Sequence, residues 1–235
     1  MGGLLQGEGL KEYCENFRRR MFNSAAAIFW MFNDCWPAVR TWTIVDYFLN
    51  RTPAFHFVRR AMNLLHVVVS EDEQQGTITI YGVNDTPHDF EGSIRHGIFR
   101  LEGEYVKDES RLVVLPANRS VVLASFESGS WKERDRKMPF AILTDREGNL
   151  VSHNRFHDKF FKDIQWPKPQ INISLENGQA VFQSDTFALA VCIDLNGDEP
   201  LAENFFDLMP CIPHSIRWNK AAPPVIKRVG FCSAE

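Results

Sequence analysis

Hydrophobic positions follow two different rhythms along this chain. Up to about residue 63 they recur at helical spacing or run unbroken; beyond it they alternate in short, turn-bounded segments. Leu10, Tyr13, Cys14, Phe17 and Met21 fall at i, i+3, i+4, i+7 and i+11, which predicts an amphipathic helix within residues 4–21. Lys11, Glu12, Glu15 and Arg19 occupy its polar side. Ala25-Ala26-Ala27-Ile28-Phe29-Trp30-Met31-Phe32 is continuous and apolar, the pattern of a strand covered on both faces, as in a parallel sheet. It stops at Asn33-Asp34-Cys35-Trp36-Pro37. A second helix is predicted from Thr52 as cap and Pro53 at the first helical position, with Phe55, Val58 and Met62 at helical spacing.

Helix, buried strand, aromatic loop and helix make an α/β unit that cannot stand alone. A single parallel strand leaves two edges and two apolar faces uncovered. No further strand–helix alternation follows, so the partner strands are expected upstream of Met1.

From Leu64 the pattern is antiparallel. Strands are expected at 64–70, 77–83, 94–101, 111–115, 121–126 and 140–144. Asn84-Asp85-Thr86-Pro87, Pro116-Ala117-Asn118 and Asp145-Arg146-Glu147-Gly148 supply turns, and the spacing suits a β-sandwich. Lys162 to Gln170 reads as a linker stiffened by Pro167 and Pro169. A smaller strand set follows at 171–175, 179–183, 187–195 and 214–218, its first hairpin closed by Asn177-Gly178. The tail after Pro223-Pro224 has no clear place in this pattern.

Composition narrows the function classes. The 235 residues are 44% hydrophobic and 24% charged, with a net charge of −4. That is ordinary for a globular protein and wrong for a general nucleic-acid binder, which needs clustered Lys and Arg. The basic run Arg18-Arg19-Arg20, at a predicted helix end, reads as an answer to the helix dipole. No apolar stretch approaches the ~20 residues of a membrane span. The first residues lack a secretory pattern, which leaves the compartment undetermined. Five scattered cysteines, without a CxxC pair, predict ordinary thiols and no metal site. Asp194-Leu195-Asn196-Gly197-Asp198 imitates a calcium loop but places Glu199 at the glycine position and Phe205 at the bidentate glutamate, so it reads as a β-turn. His153 and His157 read as an exposed pair rather than metal ligands.

Four stretches together resemble one family. Phe29-Trp30-Met31-Phe32-Asn33-Asp34-Cys35-Trp36-Pro37, continued by Trp42 and Val45-Asp46-Tyr47-Phe48, is similar to the last barrel strand of family 2 glycoside hydrolases, above all the β-mannosidase branch. Glu15-Asn16-Phe17-Arg18-Arg19 resembles the preceding barrel helix. Tyr81-Gly82-Val83-Asn84-Asp85-Thr86 resembles the first immunoglobulin-like domain after the barrel, and Glu203-Asn204-Phe205-Phe206-Asp207-Leu208-Met209-Pro210 a signature of the final domain. The sequence departs from the family at Leu49 and Cys211, where glycine is usual, and at Glu203, where aspartate is usual.

The resemblance implies a mainly β chain: the last βα portion of a (β/α)8 barrel over residues 1–63, an immunoglobulin-like β-sandwich over 64–166 and a second, smaller one over 167–235. It implies the C-terminal portion of an exo-acting, retaining glycosidase whose two glutamates belong to earlier barrel strands. This chain is therefore expected to hold no catalytic residue, metal or cofactor. Glu8 and Glu12, in or beside a predicted surface helix, are no substitutes. What remains would be part of the sugar site, since barrel active sites lie at the C-terminal ends of the strands. By likeness Trp30 would be the platform under the sugar, with a buried core aromatic as the other reading. Asn33 and Asp34 would bond sugar hydroxyls or only fix the loop, and Trp36 and Trp42 would shape the rim. The expected partner is a terminal β-linked sugar, mannose first and glucosamine, galactose or glucuronic acid after it; neither nucleic acid nor membrane is expected. The rival reading is an accessory sandwich that binds carbohydrate or protein.

Overall fold

The computed structural model describes residues 2–24, 26–37, 42–197, 199–230 and 232–233. It is mainly β, and the chain divides into two compact units. One comprises Met1–Cys14, Ala27–Ala61 and Pro167–Glu235; the other comprises Glu15–Ala26 and Met62–Trp166.

The second of these is a two-sheet sandwich. Strands β1 (Leu65–Asp72), β2 (Thr77–Asn84) and β5 (Arg119–Glu127) form one antiparallel sheet in the order β1-β2-β5. Strands β3 (Phe90–Arg100), β4 (Tyr105–Leu115), β6 (Lys137–Asp145) and β7 (Leu150–Arg155) form the other, in the order β4-β3-β6-β7. Val67, Val69, Ile78, Ile80, Ile94, Ile98, Leu115 and Leu143 alternate inward and meet in one core. Strand β4 runs six residues further towards the N-terminus than its hydrophobic pattern predicts. Its early part, Tyr105-Val106-Lys107-Asp108-Glu109-Ser110, lies on a sheet edge, where charged side chains guard the open backbone.

The motif at the end of β2 is a turn clamp. Asn84 is fully buried. Its Nδ2 donates to the carbonyls of His88 (2.9 Å) and Leu115 (2.8 Å), while its Oδ1 accepts from Thr86 N (2.9 Å) and Thr86 Oγ1 (2.7 Å). Asp85 takes the Arg18 guanidinium at 2.6 Å, and Arg18 also donates to Asn63 O at 2.7 Å. Arg18 thus holds a specific carboxylate as well as standing in the last turn of its helix, while Arg19 lies over the Tyr81 ring.

The first helix, α1, runs over Gly2–Arg18. Its polar side differs from the sequence reading at Glu15, which is 5% exposed. His66 Nε2 lies 2.9 Å from Glu15 Oε1 and His66 Nδ1 lies 3.1 Å from Ser152 Oγ. Asn154 Nδ2 donates to Glu15 Oε1 (2.9 Å) and to Val67 O (2.9 Å). A carboxylate among such donors can leave water without losing its hydrogen bonds.

In the other unit, helix α2 (Pro53–Ala61) buries Ala54, Phe57, Val58 and Ala61 at i, i+3, i+4 and i+7. Pro53 opens the helix as expected, but the buried Thr52 hydroxyl has no hydrogen-bond partner, so it is not the cap. Met62 is exposed rather than part of the stripe. Cys14, Ile44, Val45, Ala54, Val58 and Ala61 form a small core. Strands β8 (Asn172–Glu176), β9 (Gln179–Gln183) and β12 (His214–Arg217) pair in the order β12-β9-β8, and β10 (Ala188–Val191) pairs with β11 (Phe206–Leu208). Their core holds Phe182, Ala188, Val191, Phe206, Leu208 and Ile216. The tail gains a place through β13 (Arg228–Val229) and β14 (Cys232–Ser233), with Cys192 N donating to Arg228 O at 2.9 Å.

The final-domain signature is a hub of backbone capping. Asn204 is fully buried; its Oδ1 accepts from Ile193 N (2.9 Å) and Phe205 N (3.1 Å), and its Nδ2 donates to Asp194 O (2.6 Å). Arg60 of α2 donates to the carbonyls of Asn204 (3.1 Å) and Phe205 (2.7 Å). Glu203 lies 3.7 Å from Arg60 and 2.8 Å from His214. Asp194 caps the following loop, accepting from Asn196 N, Gly197 N and Glu199 N.

The two positions at which the family usually has glycine have a physical explanation. Leu49 has φ 67° and Cys211 φ 60°, left-handed conformations that cost an ordinary side chain and suit glycine.

Three outcomes follow from this packing. Glu15→Ala, which strands buried His66 and Asn154, should lower stability by about 3–5 kcal/mol in a urea titration. Loss below ~1 kcal/mol would mean that the network contributes little. Leu49, 72% exposed, contributes little packing. Leu49→Gly should therefore raise stability by about 0.5–1 kcal/mol, whereas β-branched Leu49→Val lowers it. Burial first, and then the Arg60 guanidinium, push His56 from 6.5 down to about 3. A depressed histidine stabilises the fold above its unfolded pKa, and that contribution is lost on acidification. Stability should fall by roughly 1.4 kcal/mol per pH unit from about 6.5 towards about 3. In His56→Phe this part of the slope should vanish; an unchanged slope assigns the acid sensitivity elsewhere.

Candidate functional site

Residues 26–37 and 42–52 contain the proposed sugar-binding positions. Residues 26–32 are not the buried strand that their apolar run predicts, and Ala25 lies outside the described residues. They belong to no helix or strand, and alternate side chains are exposed: Ile28 is 82% accessible, Trp30 75% and Phe32 58%, while Ala27, Phe29 and Met31 are half-buried. The physical reason is that a doubly covered strand needs neighbours on both edges and both faces, and the chain gives this segment none on that scale. The Ile28 carbonyl accepts from the Tyr13 hydroxyl at 2.9 Å. Pairing begins only at Phe32, whose carbonyl accepts from Ile44 N (3.2 Å) and Val45 N (2.9 Å).

The loop after it is held from below. Asn33 and Val45 form a parallel bridge, and Asp34 N donates to Val45 O at 3.2 Å. Asp34 Oδ2 accepts from the buried Thr43 hydroxyl at 2.8 Å, so one carboxylate oxygen is committed to fixing the loop. Asn33 is exposed, and its Nδ2 makes a 3.2 Å contact with Asp34 O. Val45 bridges Arg51, and Thr52 N donates to Ile44 O at 3.0 Å, which ties this strip to the start of α2. Asp46 closes the turn by accepting from Asn50 N (2.8 Å) and Asn50 Nδ2 (3.2 Å).

The structure therefore joins Asn33 and Asp34 through the loop, and leaves the indoles of Trp30 and Trp36 open to solvent, the latter 69% exposed. Trp42, Tyr47 and Phe48 are exposed as well. Such a concentration of open aromatic surface among the described residues of 28–49 is unusual for a protein exterior. Chemically the described part of the strip offers aromatic faces, the carboxamides of Asn33 and Asn50, and the carboxylates of Asp34 and Asp46, which accept from Thr43 and from Asn50.

Other polar groups serve the fold. The Asp194 loop spends its carboxylate on backbone N–H groups instead of a cation. His157 bonds Lys159 O through Nδ1 at 3.0 Å and packs its ring on Phe161. Among the described residues, no three His, Cys, Asp or Glu side chains are arranged to hold a metal. Burial raises the Cys192 thiol to about 12, the mark of an inert core cysteine. The sequence reading missed the Glu15–His66 and Arg60–Glu203–His214 contacts, since their partners are far apart in the chain. The one local signal was a glutamate directly beside the apolar stripe at Cys14.

Known proteins place this arrangement. The Mannosidase Ig/CBM-like domain family matches residues 76–163. Beta-mannosidase B of Aspergillus terreus is 43% identical over 53 residues, 23% of this chain and 6% of the relative. Its counterpart in Aspergillus niger is equally similar over the same share. In solved structures, the beta-D-mannosidase of Dictyoglomus thermophilum matches 94% of this chain with a TM-score of 0.83 and 27% identity. The match covers 27% of that enzyme. An exo-chitosanase of Amycolatopsis orientalis shares the fold, at 17% identity and a TM-score of 0.66 over 91% of this chain and 30% of its own. The chain thus spans less than a third of the relatives it matches. Fold and sequence agree that it corresponds to the C-terminal portion of a β-mannosidase-like family 2 glycoside hydrolase.

Proposed function

We propose that this chain supplies the closing part of the catalytic barrel and the two sandwiches behind it in an exo-acting, retaining β-mannosidase-like glycosidase, and that alone it does not hydrolyse glycosides. The observation that carries this reading is the exposed apolar strip that leads through Trp30 to Asn33, Asp34 and Trp36, where a barrel strand would be covered. The match to 27% of a solved beta-D-mannosidase supports it from the outside. In this reading residues 1–63 belong to the barrel, 64–166 to one immunoglobulin-like sandwich and 167–235 to the other. The neighbouring strands and both catalytic carboxyls lie in polypeptide upstream.

Retention requires two carboxyl groups about 5–5.5 Å apart on either side of the anomeric carbon. This chain's share is recognition. The open indole of Trp30 suits the apolar C–H face of a pyranose. Asn33, exposed and with both donor and acceptor atoms, reaches for a hydroxyl, and Asp34 holds the loop through Thr43 while Trp36 walls the rim. Mannose is the first choice of sugar because the Aspergillus and Dictyoglomus relatives are β-mannosidases. Glucosamine is the runner-up, supported in fold by an exo-chitosanase structure in complex with PNP-beta-D-glucosamine.

The test compares this chain with a polypeptide extended upstream. The chain alone should leave an aryl β-mannoside intact, and the extended protein should cleave it. Trp30→Ala in the extended protein should lower kcat/KM by roughly 10–100-fold. Turnover by the chain alone would refute the division of labour, and preference for a β-glucosaminide would keep the family but change the sugar. If Trp30→Ala left kcat/KM unaltered, the indole would be packing and not platform.

A further inference from the structure

The outer face of the β8-β9-β12 sheet carries a depression of about 660 Å³, within the range of small-ligand sites. Cross-strand register builds its floor. Asn172 stands opposite Gln183, Ser174 and Ser215 flank Val181 from either side, and Glu176 stands opposite Gln179. These polar side chains alternate with inward residues such as Ala180 and Phe182, so the sheet pleat alone brings them together.

Its chemistry is unlike that of the rest of the surface. The chain is 24% charged, yet among the side chains lining this depression Glu176 is the one ionisable group, and it accepts from the Ser174 hydroxyl at 2.6 Å. The edge strand β8 is also unguarded by the Lys and Arg that line β4. What the face offers instead is carboxamides and hydroxyls. Each carboxamide presents a donor and an acceptor side by side, the complement of a vicinal diol, whose oxygens both give and take hydrogen bonds. At one end of the face Glu176 and exposed Arg217 stand opposite Gln179 from either side, so the two charges balance and the face carries no net charge. A neutral polyol fits the charge of the face.

From this we infer that the outer face of the β8-β9-β12 sheet is a weak binding site for neutral oligosaccharide. The inference rests on the proposed glycosidase function for its ligand class, but on different residues. With hydrogen bonds and no aromatic platform, affinity belongs in the millimolar range.

The experiment is a heteronuclear NMR titration of the full chain with a β-linked mannotetraose to 20 mM, a concentration on the order of the affinity expected for a shallow polar site. Amide shifts should move at residues 172–183 and 213–217 with a common saturation curve. The exposed double substitution Gln179→Ala and Gln183→Ala should weaken binding by about tenfold with the rest of the spectrum preserved. A separate variant, Ser93→Ala with Leu112→Ala on the outer face of the other unit's sandwich, should leave binding intact. No shifts at 20 mM, shifts confined to the Trp30–Trp36 strip, or loss only in the second variant would each overturn the inference. None of these outcomes touches aryl β-mannoside hydrolysis by the extended protein, so the two readings fail separately.

Discussion

An extended apolar segment must place its backbone N–H and C=O groups somewhere, and this requirement governs how residues 26–37 are understood. In a sheet interior both edges of such a strand are occupied. Among the described residues, hydrogen bonds join Phe32–Asp34 to Ile44–Val45 and the Ile28 carbonyl to the Tyr13 hydroxyl. The side chains of Ile28, Trp30 and Phe32 face solvent. Composition asks for burial and the surrounding chain does not provide it.

Much of the sandwich architecture was legible because strand period and turn chemistry agree. The Thr77–Tyr81 alternation and Asn177-Gly178 gave elements whose structure matches the pattern closely. Edges were harder. Lys107, Asp108 and Glu109 look like loop residues in a hydrophobicity plot, yet charge is what an edge strand needs to remain single. The tail beyond Pro224 was illegible for another reason: its place depends on Cys192, thirty-odd residues away in the chain. The candidate site was the least legible part. Periodicity predicted a covered strand over the apolar run, and the structure shows none at 26–32, because a hydrophobicity pattern carries no information on where the cover would come from.

Buried polar contacts show the same limit. Glu15 sits one residue beyond Cys14, at the border of the helical stripe, and its identity as a charge argues for solvent. Only the fold brings His66, Ser152 and Asn154 around it. Arg60 likewise reads as a helix-end cation, although it caps two carbonyls more than 140 residues away. Long-range partners turn apparently surface charges into core components, and no local pattern announces them.

The motifs that carried the family resemblance divide sharply by what they do. Asn84 and Thr86 lock a turn; Asn204 and Asp207 hold backbone N–H groups. Leu49 and Cys211, the two departures from glycine, sit in left-handed conformations that glycine adopts most easily. Such residues recur because the backbone needs them, so they testify to architecture and are silent on the sugar. Chemistry specific to a substrate can enter only through side chains free of these duties. In the proposed site such duties leave the indoles of Trp30 and Trp36 and the amide of Asn33 open, while Asp34 spends one oxygen on Thr43. A likeness built mainly on turn clamps and caps can therefore be strong for the fold while leaving the sugar to be decided by a handful of exposed atoms.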